Sequence, residues 1–353
     1  MVYGSSWSDA MIENESKRTV PLDSKGRLLD IVYVTFTIIL VLLLLVMYQI
    51  YDNNRVVVVK EIIPVPGLPR DWAGFTILQL SDLHDKRFGH RQQKLLQVIN
   101  SLEYDLLALT GDMVSADPQP FYALLEGLER REQVFFARGN HDPRDFNPDT
   151  GDRTDFGRAL EARGCQLLDT LYPIKRGEHT LWVAGIMPHM ILANQGTMKK
   201  EKTFAHPVPV RYWYRGEENR QTQTDISAQI RPSDILVGLT HYPLTPGIFQ
   251  QTFSYQRACY TLILAGHYHG GQFRLPFFGA LQIPAPAGPG RILFPAREQV
   301  EGLGRLGPYH QYISRGLGAS GNPRWLQFRL FNPPEINLLT LEQEAQQEKA
   351  HTP

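Results

Sequence analysis

The chain has 353 residues, enough for one large domain or two ordinary ones with a substantial core either way. Its 36 basic and 36 acidic residues cancel, so the basic excess that marks most nucleic-acid binders is missing and no nucleic-acid partner is expected. Two cysteines, Cys165 and Cys259, are too few for a disulfide framework; they pair with each other or stay as buried thiols, and they do not fix the compartment.

Residues 1–30 read as a polar tail, and the first predicted element is a membrane span at 31–51. Its sequence, IVYVTFTIILVLLLLVMYQIY, carries no charge, and at about 1.5 Å per residue it covers roughly 30 Å, the hydrocarbon thickness of a bilayer. Tyr33, Tyr48 and Tyr51 sit towards its ends, where amphipathic rings favour the interface. A secretory signal is the rival reading. It calls for a shorter apolar stretch and a small-x-small cleavage site, whereas Asp52, Asn53, Asn54 and Arg55 follow here. The expected location is therefore a cell membrane, crossed once. Lys17, Arg18, Lys25 and Arg27 before the span against Arg55, Lys60 and Arg70 after it lean the remainder of the chain towards the extracytoplasmic side.

Beyond the span, the β-branched run Arg55 to Val65 predicts a strand, and the continuous apolar run Phe75 to Leu80 predicts one buried on both faces. Leu95, Val98, Ile99 and Leu102 share one face of a helix, which leads to a further buried-type strand at Asp105 to Thr110. A helix at Phe121 to Arg130 and a strand at Gln133 to Arg138 complete an order that argues for parallel β-α-β units. Later strands are predicted at Leu181 to Ile186, Ile235 to Thr240 and Thr261 to Ala265. A final set richer in antiparallel pairing follows at QYISR, WLQFRLF and INLLTL. Met187 to Pro232 is long, polar and patchily basic around Tyr212, Trp213 and Tyr214; it reads as a substrate lid or as a mobile insertion. Residues 342–353 form a polar tail.

Chemistry gathers where the buried strands end. They run into Ser81-Asp82-Leu83-His84, Gly111-Asp112, Gly139-Asn140-His141-Asp142, His241-Tyr242-Pro243 and Gly266-His267-Tyr268-His269. A single Asp after a strand is most often a cap or turn residue, and a lone Asn-His a turn. Five strand ends that all supply oxygen or imidazole groups are a different matter, because open α/β sheets bind ligands at the carboxyl ends of their strands. Carboxylates with neutral imidazoles and no thiolate suit two divalent ions of Mn, Fe or Zn. Such a pair clamps the attacking and leaving oxygens of a displacement and lowers the pKa of bound water.

In order and in residue type, these motifs resemble the signature of the calcineurin-like metallophosphoesterases. The flanking SDLH, GHYHGGQ and SRGLGASGNPR are similar to its membrane-associated bacterial branch, which includes proteins described as UDP-2,3-diacylglucosamine pyrophosphatases of lipid A synthesis. The resemblance covers Arg55 to Leu341, and it implies an α/β fold, a four-layer α/β/β/α sandwich over 52–341 following the N-terminal transmembrane helix. It further implies one metal held by Asp82, His84, Asp112 and His269, and a second by Asp112, Asn140, His241 and His267, with Asp112 as the bridge. His141 would protonate the leaving oxygen or steady the phosphate, and Asp142 would orient His141. The implied activity is hydrolysis of a phosphate ester or pyrophosphate, with a lipid or cell-envelope precursor as the substrate class an anchor favours. The alternatives are a catalytically silent scaffold of the same fold, and a nuclease or nucleotide phosphodiesterase, against which the neutral charge counts.

Overall fold

The computed structural model describes residues 24–147, 150–169, 171–186, 230–246, 260–284, 290–307, 309–321 and 324–344. The chain forms two units, Met1–Tyr48 and Gln49–Pro353. Helix α1 (Ser24–Asn54) has 31 residues. Its Gly26–Asn54 portion, with a mean hydropathy of 2.8 in its most apolar stretch, is long and apolar enough to cross a membrane, a test that a signal sequence also passes.

The Gln49–Pro353 unit continues through β1 (Val57–Val65), β2 (Thr76–Leu80), α2 (Gln93–Asn100), β3 (Leu106–Leu109), α3 (Gln119–Gly127), β4 (Val134–Phe136), α4 (Asp155–Glu161), β5 (Cys165–Leu167) and β6 (Tyr172–Arg176). Next come β7 (His179–Gly185), β8 (Ile235–Leu239), β9 (Leu262–Ala265), β10 (Arg274–Leu275), β11 (Gly279–Ala280), β12 (Gln282–Pro284) and β13 (Arg291–Leu293). The last three are β14 (Gly302–Leu306), β15 (Tyr309–Ile313) and β16 (Glu335–Gln343). Two six-stranded sheets result, ordered β1-β16-β2-β3-β4-β5 and β14-β15-β9-β8-β7-β6. Strands β2 to β5 are mutually parallel, as the β-α-β order predicted for β2 to β4 requires. Strands β7, β8, β9 and β15 are parallel too, although QYISR, within which most of β15 falls, is predicted in an antiparallel set and pairs that way only with β14.

Alternation along each strand builds the layers. Leu78, Leu80, Leu107, Leu109, Val134 and Phe136 point outward from the first sheet onto Leu95 and Ile99 of α2 and Phe121, Leu124 and Leu125 of α3. The intervening residues Ile77, Leu106, Ala108 and Phe135 face the other way and meet Leu181, Val183, Val237, Leu262 and Leu264 of the second sheet. The far face of that second sheet carries Trp182, Ala184, Leu236 and Ile263. An α/β/β stack is thus in place, and residues 187–229 after β7 and 247–259 after β8 fall outside the described residues. So do Cys259 and all but the last three residues of the 187–232 insertion, while Cys165 is a buried free thiol. Pro64 is accommodated because, among the described residues, β1 is an edge strand paired with β16 alone.

The predicted strand WLQFRLF does not form. Arg324–Leu326 is a 3-10 turn, and Leu330 makes only an isolated bridge to Phe273. The reason lies at Arg329, whose backbone N–H donates to Asn53 Oδ1 at 2.8 Å while its carbonyl accepts from Asn53 Nδ2 at 2.7 Å. A side chain has taken the groups a neighbouring strand would use.

Candidate metal centre

Strands β2, β3 and β4 of the first sheet and β8 and β9 of the second deliver their following loops to one place. Asp82 and His84 follow β2, Asp112 follows β3, Asn140 and His141 follow β4, His241 follows β8, and His267 and His269 follow β9. Two groups of donor atoms result, Asp82–His84–His269 and Asp112–His241–His267, each with its ligand atoms within 4.8 Å of one another. In the first, Nε2 of His269 lies 3.5 Å from Asp82 Oδ1 and 3.2 Å from Nε2 of His84. In the second, Nε2 of His241 lies 3.2 Å from Asp112 Oδ2, 3.1 Å from Asn140 Oδ1 and 3.0 Å from Nδ1 of His267. Asp112 joins the two, since its Oδ2 is also 3.4 Å from Nε2 of His84. All seven residues read from the sequence as metal ligands are therefore brought together here.

The donor set fits a pair of cations. Nδ1 of His241 lies 3.0 Å from the Thr110 carbonyl, which can only accept, so this nitrogen carries the proton. In the neutral ring Nε2 is then a bare lone pair, facing a carboxylate, an amide oxygen and a second imidazole nitrogen, all 3.0–3.2 Å away. Even a protonated Nε2–H could serve only part of this ring of acceptors; a divalent ion satisfies all of it. Nδ1 of His84 is similarly engaged by Ser115 Oγ at 2.7 Å, leaving Nε2 turned to the carboxylates.

Electrostatics agree with that reading. Burial pushes the Asp82 carboxyl up to about 7, with the Asp112 charge adding to the effect against the pull of His241. At Asp112 burial is overridden: His241 and His84 hold its carboxyl well below the usual carboxylate range. His241 mirrors this, for burial disfavours its charge but Asp112 lifts it to about 9. Burial lowers His84 to about 4 and His267 to about 3, and keeps His269 well below its ordinary 6.5. Three imidazoles are thus in the neutral, ligating form. In the metal-free chain one proton on His241 stands beside the Asp112 charge that cations would otherwise balance.

The backbone is bent to make this geometry. Asp82, His84, Asp112, His267 and His269 all adopt positive φ, between 47° and 73°, where non-glycine residues are uncommon. Gly139 is required by close approach: a Cβ there would lie 2.2 Å from Asp112 Oδ1 and 2.3 Å from the Asp112 nitrogen.

The structure gives Asp142 a different task from the one expected of it. Its Oδ2 accepts the backbone N–H groups of Asp112 at 2.7 Å and Gly139 at 2.8 Å, and its Oδ1 accepts that of Val114 at 2.8 Å. Both oxygens are occupied, and no hydrogen bond joins Asp142 to the His141 ring among the described residues. Asp142 staples the loops after β3 and β4 to each other. His141 is exposed, its backbone N–H donates to Asp112 Oδ1 at 2.8 Å, and its ring lies 5.1 Å from that of His84.

Sequence reasoning missed Arg329. It is fully buried and donates to four carbonyls, those of Gly318, His269, Arg315 and Asn332, at 2.7–3.0 Å. Asn332 Nδ2 adds a 2.7 Å bond to the same His269 carbonyl. The available signal was an arginine inside the otherwise largely apolar run WLQFRLF, which reads only as a strand. Asp85 was missed too; its carboxylate accepts the N–H groups of Ser115, Ala116 and Asp117 at 2.7–3.0 Å, fixing the loop that carries the partner of His84.

The chain is similar to several known proteins. Two proteins of Bacillus subtilis (strain 168) are similar to the chain. The uncharacterized metallophosphoesterase YkuE is 26% identical over 283 residues, 78% of this chain and 82% of that one. The uncharacterized metallophosphoesterase YkoQ is 26% identical over 317 residues, 85% and 98% respectively. Among solved structures, a phosphopantetheinyl hydrolase from Mycobacterium tuberculosis aligns over 56% of this chain and 83% of its own with a TM-score of 0.31 and 13% identity. The calcineurin-like phosphoesterase profile matches residues 75–271, the span from the start of β2 to the glycines after His269, which contains every candidate ligand, and the chain belongs to that family.

Proposed function

We propose that this chain is a membrane-anchored, dinuclear metal-dependent hydrolase of phosphate esters or pyrophosphates, with a lipid or cell-envelope precursor, such as a nucleotide-linked acylated sugar, as its substrate class. One observation carries the hydrolase reading: Asp112 Oδ2 sits 3.4 Å from His84 and 3.2 Å from His241, a single carboxylate oxygen shared by two donor clusters. Asp82, His84, Asp112 and His269 would hold one ion, and Asp112, Asn140, His241 and His267 the other. When bound, the ions supply Lewis acidity for the phosphoryl oxygens and a water acidified towards neutral pH.

The chain's own residues do the rest. Asp112 brings the two clusters together and keeps its carboxylate ionised. Nδ1–H of His241, held by Thr110, keeps Nε2 available as a donor. His141, open to solvent beside His84, is placed to give a proton to the departing oxygen, and its backbone bond to Asp112 fixes where its ring starts from. Burial of Asp82, His241 and His269 keeps the dielectric low, so that charge developing on the phosphate is felt strongly.

α1 supports the anchor, since the 29-residue stretch Gly26–Asn54 is predominantly apolar and carries no acidic or basic side chain between Ile31 and Tyr51, which suits a bilayer. Tethering places the site near lipid substrates, and the basic residues before the span favour an extracytoplasmic domain. A silent scaffold would have no need to retain seven converging ligands together with His141. The test is a hydrolysis screen of protein loaded separately with Mn²⁺, Fe²⁺ and Zn²⁺, against an aryl phosphate, a nucleotide diester, a sugar nucleotide and a lipid-linked pyrophosphate. Turnover of the aryl phosphate and of one lipid-linked or sugar-nucleotide substrate is expected; metal-replete protein inert towards all four would refute the reading.

A further inference from the structure

The metal loop ending at His269 runs directly into an apolar surface that the chemistry above does not use. Beyond Gln272 the chain forms a small array of two antiparallel hairpins with a parallel bridge from Phe273 to Leu330. Leu281 N–H donates to the Phe273 carbonyl at 2.9 Å, Phe294 N–H to the Leu281 carbonyl at 3.0 Å, and Arg274 N–H to the Leu330 carbonyl at 3.0 Å. Hairpins β10–β11 and β12–β13 belong to this array. Its outward residues are large and apolar. Phe277 and Phe278 occupy the turn between β10 and β11, Phe278 being 74% exposed. Leu293 and Phe294 end β13 at 66% and 63%, and Trp325 is 74% exposed. Soluble surfaces carry such side chains singly; several of them on two adjoining hairpins and the turn beside them point to a contact surface.

What covers this surface follows from where α1 ends. Arg329, between Phe328 and Leu330 of the array, holds Asn53 in the last turn of α1 through two backbone hydrogen bonds of 2.7 and 2.8 Å. Lys86 Nζ donates to the Asn53 carbonyl. The apolar run of α1 stops at Tyr51, two residues earlier, so a bilayer crossed by α1 has its headgroup zone at this point. That zone is about 5–8 Å deep on each side, and Asn53's partner Arg329 directly follows Phe328 in the chain. Phe328 in turn packs on Phe273 with ring centroids 5.1 Å apart. Aromatic side chains are the ones that partition into this zone.

We propose that the Phe277–Phe278 turn, the end of β13 and Trp325 form a membrane-interface surface, seated in the headgroup region of the bilayer that α1 crosses. The inference rests on the anchor reading above and goes beyond it. The catalytic unit is then seated against the lipid, not merely tethered near it, with the His267–His269 loop directly behind the seated hairpins.

The test uses the full chain in vesicles of phosphatidylcholine and phosphatidylglycerol, with and without lipids brominated near the carbonyls. Trp325 fluorescence is read as the difference between the wild type and Trp325→Phe. A second reporter, Phe278→Trp in the Trp325→Phe background, reads the hairpin tip. An alkaline carbonate wash is run in parallel. The expected result is protein that resists the wash, with both reporters quenched at least about twofold by brominated lipid and shielded from aqueous iodide. Wash-resistant protein whose reporters stay open to iodide and ignore bromine overturns the surface while leaving the anchor standing. Shielding from iodide without bromine quenching means a second copy covers the patch, and also overturns it. Release by carbonate refutes the anchor and the seated surface together.

Discussion

Asp112→Asn separates the charge at the centre of the site from its shape. The amide retains an oxygen to accept the His141 N–H, now 2.8 Å from Oδ1, so the loop after β4 keeps its tie. What disappears is the negative charge whose Oδ2 lies 3.4 Å from His84 and 3.2 Å from His241. Removing one partner of a buried charge pair costs about 3–5 kcal/mol. At about 1.36 kcal/mol per tenfold, affinity for divalent ions falls by roughly two to four powers of ten. Because one oxygen serves both clusters, both ions are lost. In chelator-stripped protein the same change removes the influence that lifts His241 to about 9, and burial then takes the imidazole below its ordinary 6.5. Elemental analysis after dialysis reads the first effect, and a ¹⁵N-detected imidazole titration the second. A variant that retains two ions at wild-type affinity, or a His241 that still titrates at about 9, refutes the bridging assignment.

His141→Ala is expected to keep both ions, because only its backbone N–H touches Asp112. It should lower kcat by about 10²- to 10⁴-fold with phenyl phosphate and less with 4-nitrophenyl phosphate, whose leaving group needs no acid; loss of metal would reject this role. Metal affinity should climb with pH. In the metal-free chain His241 holds a proton up to about 9, and binding must displace it, so calorimetric affinity rises about tenfold per pH unit between 7 and 9 and levels off above. A flat profile over that window contradicts a protonated His241. Arg329→Met removes a donor from each of four buried carbonyls, of which that of His269 keeps Asn332; at about 1–3 kcal/mol for each left bare, stability in denaturant melts of metal-free protein is expected to fall by at least about 3 kcal/mol. Arg329→Lys should recover only part of that loss, since one ammonium cannot reproduce the planar fork.

The parallel cores of both sheets were legible because burial on two faces leaves a mark that composition cannot disguise: TILQL, LLAL, ILVGL and LILA are short, apolar and followed at once by ligand-type residues. Ligand convergence was legible for the same reason, as parallel strands put all their carboxyl ends on one side. Strands β5 and β6 were not. The first has three residues, and YPIKR in the second is a half-exposed edge strand whose alternation, with Tyr172 and Ile174 turned inward, is too short to betray it. WLQFRLF failed because its arginine points inward, which no period-two reading allows, and its backbone partner, Asn53, lies 276 positions away. The tasks of Asp142 and Asp85 were hidden differently. Asp142 sits next to His141, so proximity in sequence suggested side-chain partnership, whereas its carboxylate, like that of Asp85, turns to backbone amides of another loop.

That last difference explains how a strained site holds its shape before any cation arrives. Five ligand residues adopt left-handed backbone conformations that would relax in an isolated loop. Each loop is instead tied by a charged or amide side chain that binds main-chain groups of another. Asp142 ties the β3 and β4 loops, Asp85 fixes the segment bearing Ser115, and Asp82 takes the His267 N–H at 3.1 Å. Gln79, buried between the sheets, donates to Thr110 in one and to the Ala265 carbonyl in the other, at 3.0 and 2.8 Å. Arg329 gathers the carbonyls behind His269. Charge-assisted bonds to buried backbone are stronger than neutral ones and far costlier to leave unmade, so the ties reinforce one another. A pair of cations then meets ligands already in position, and the affinity otherwise lost in ordering five separate loops is retained for holding the ions.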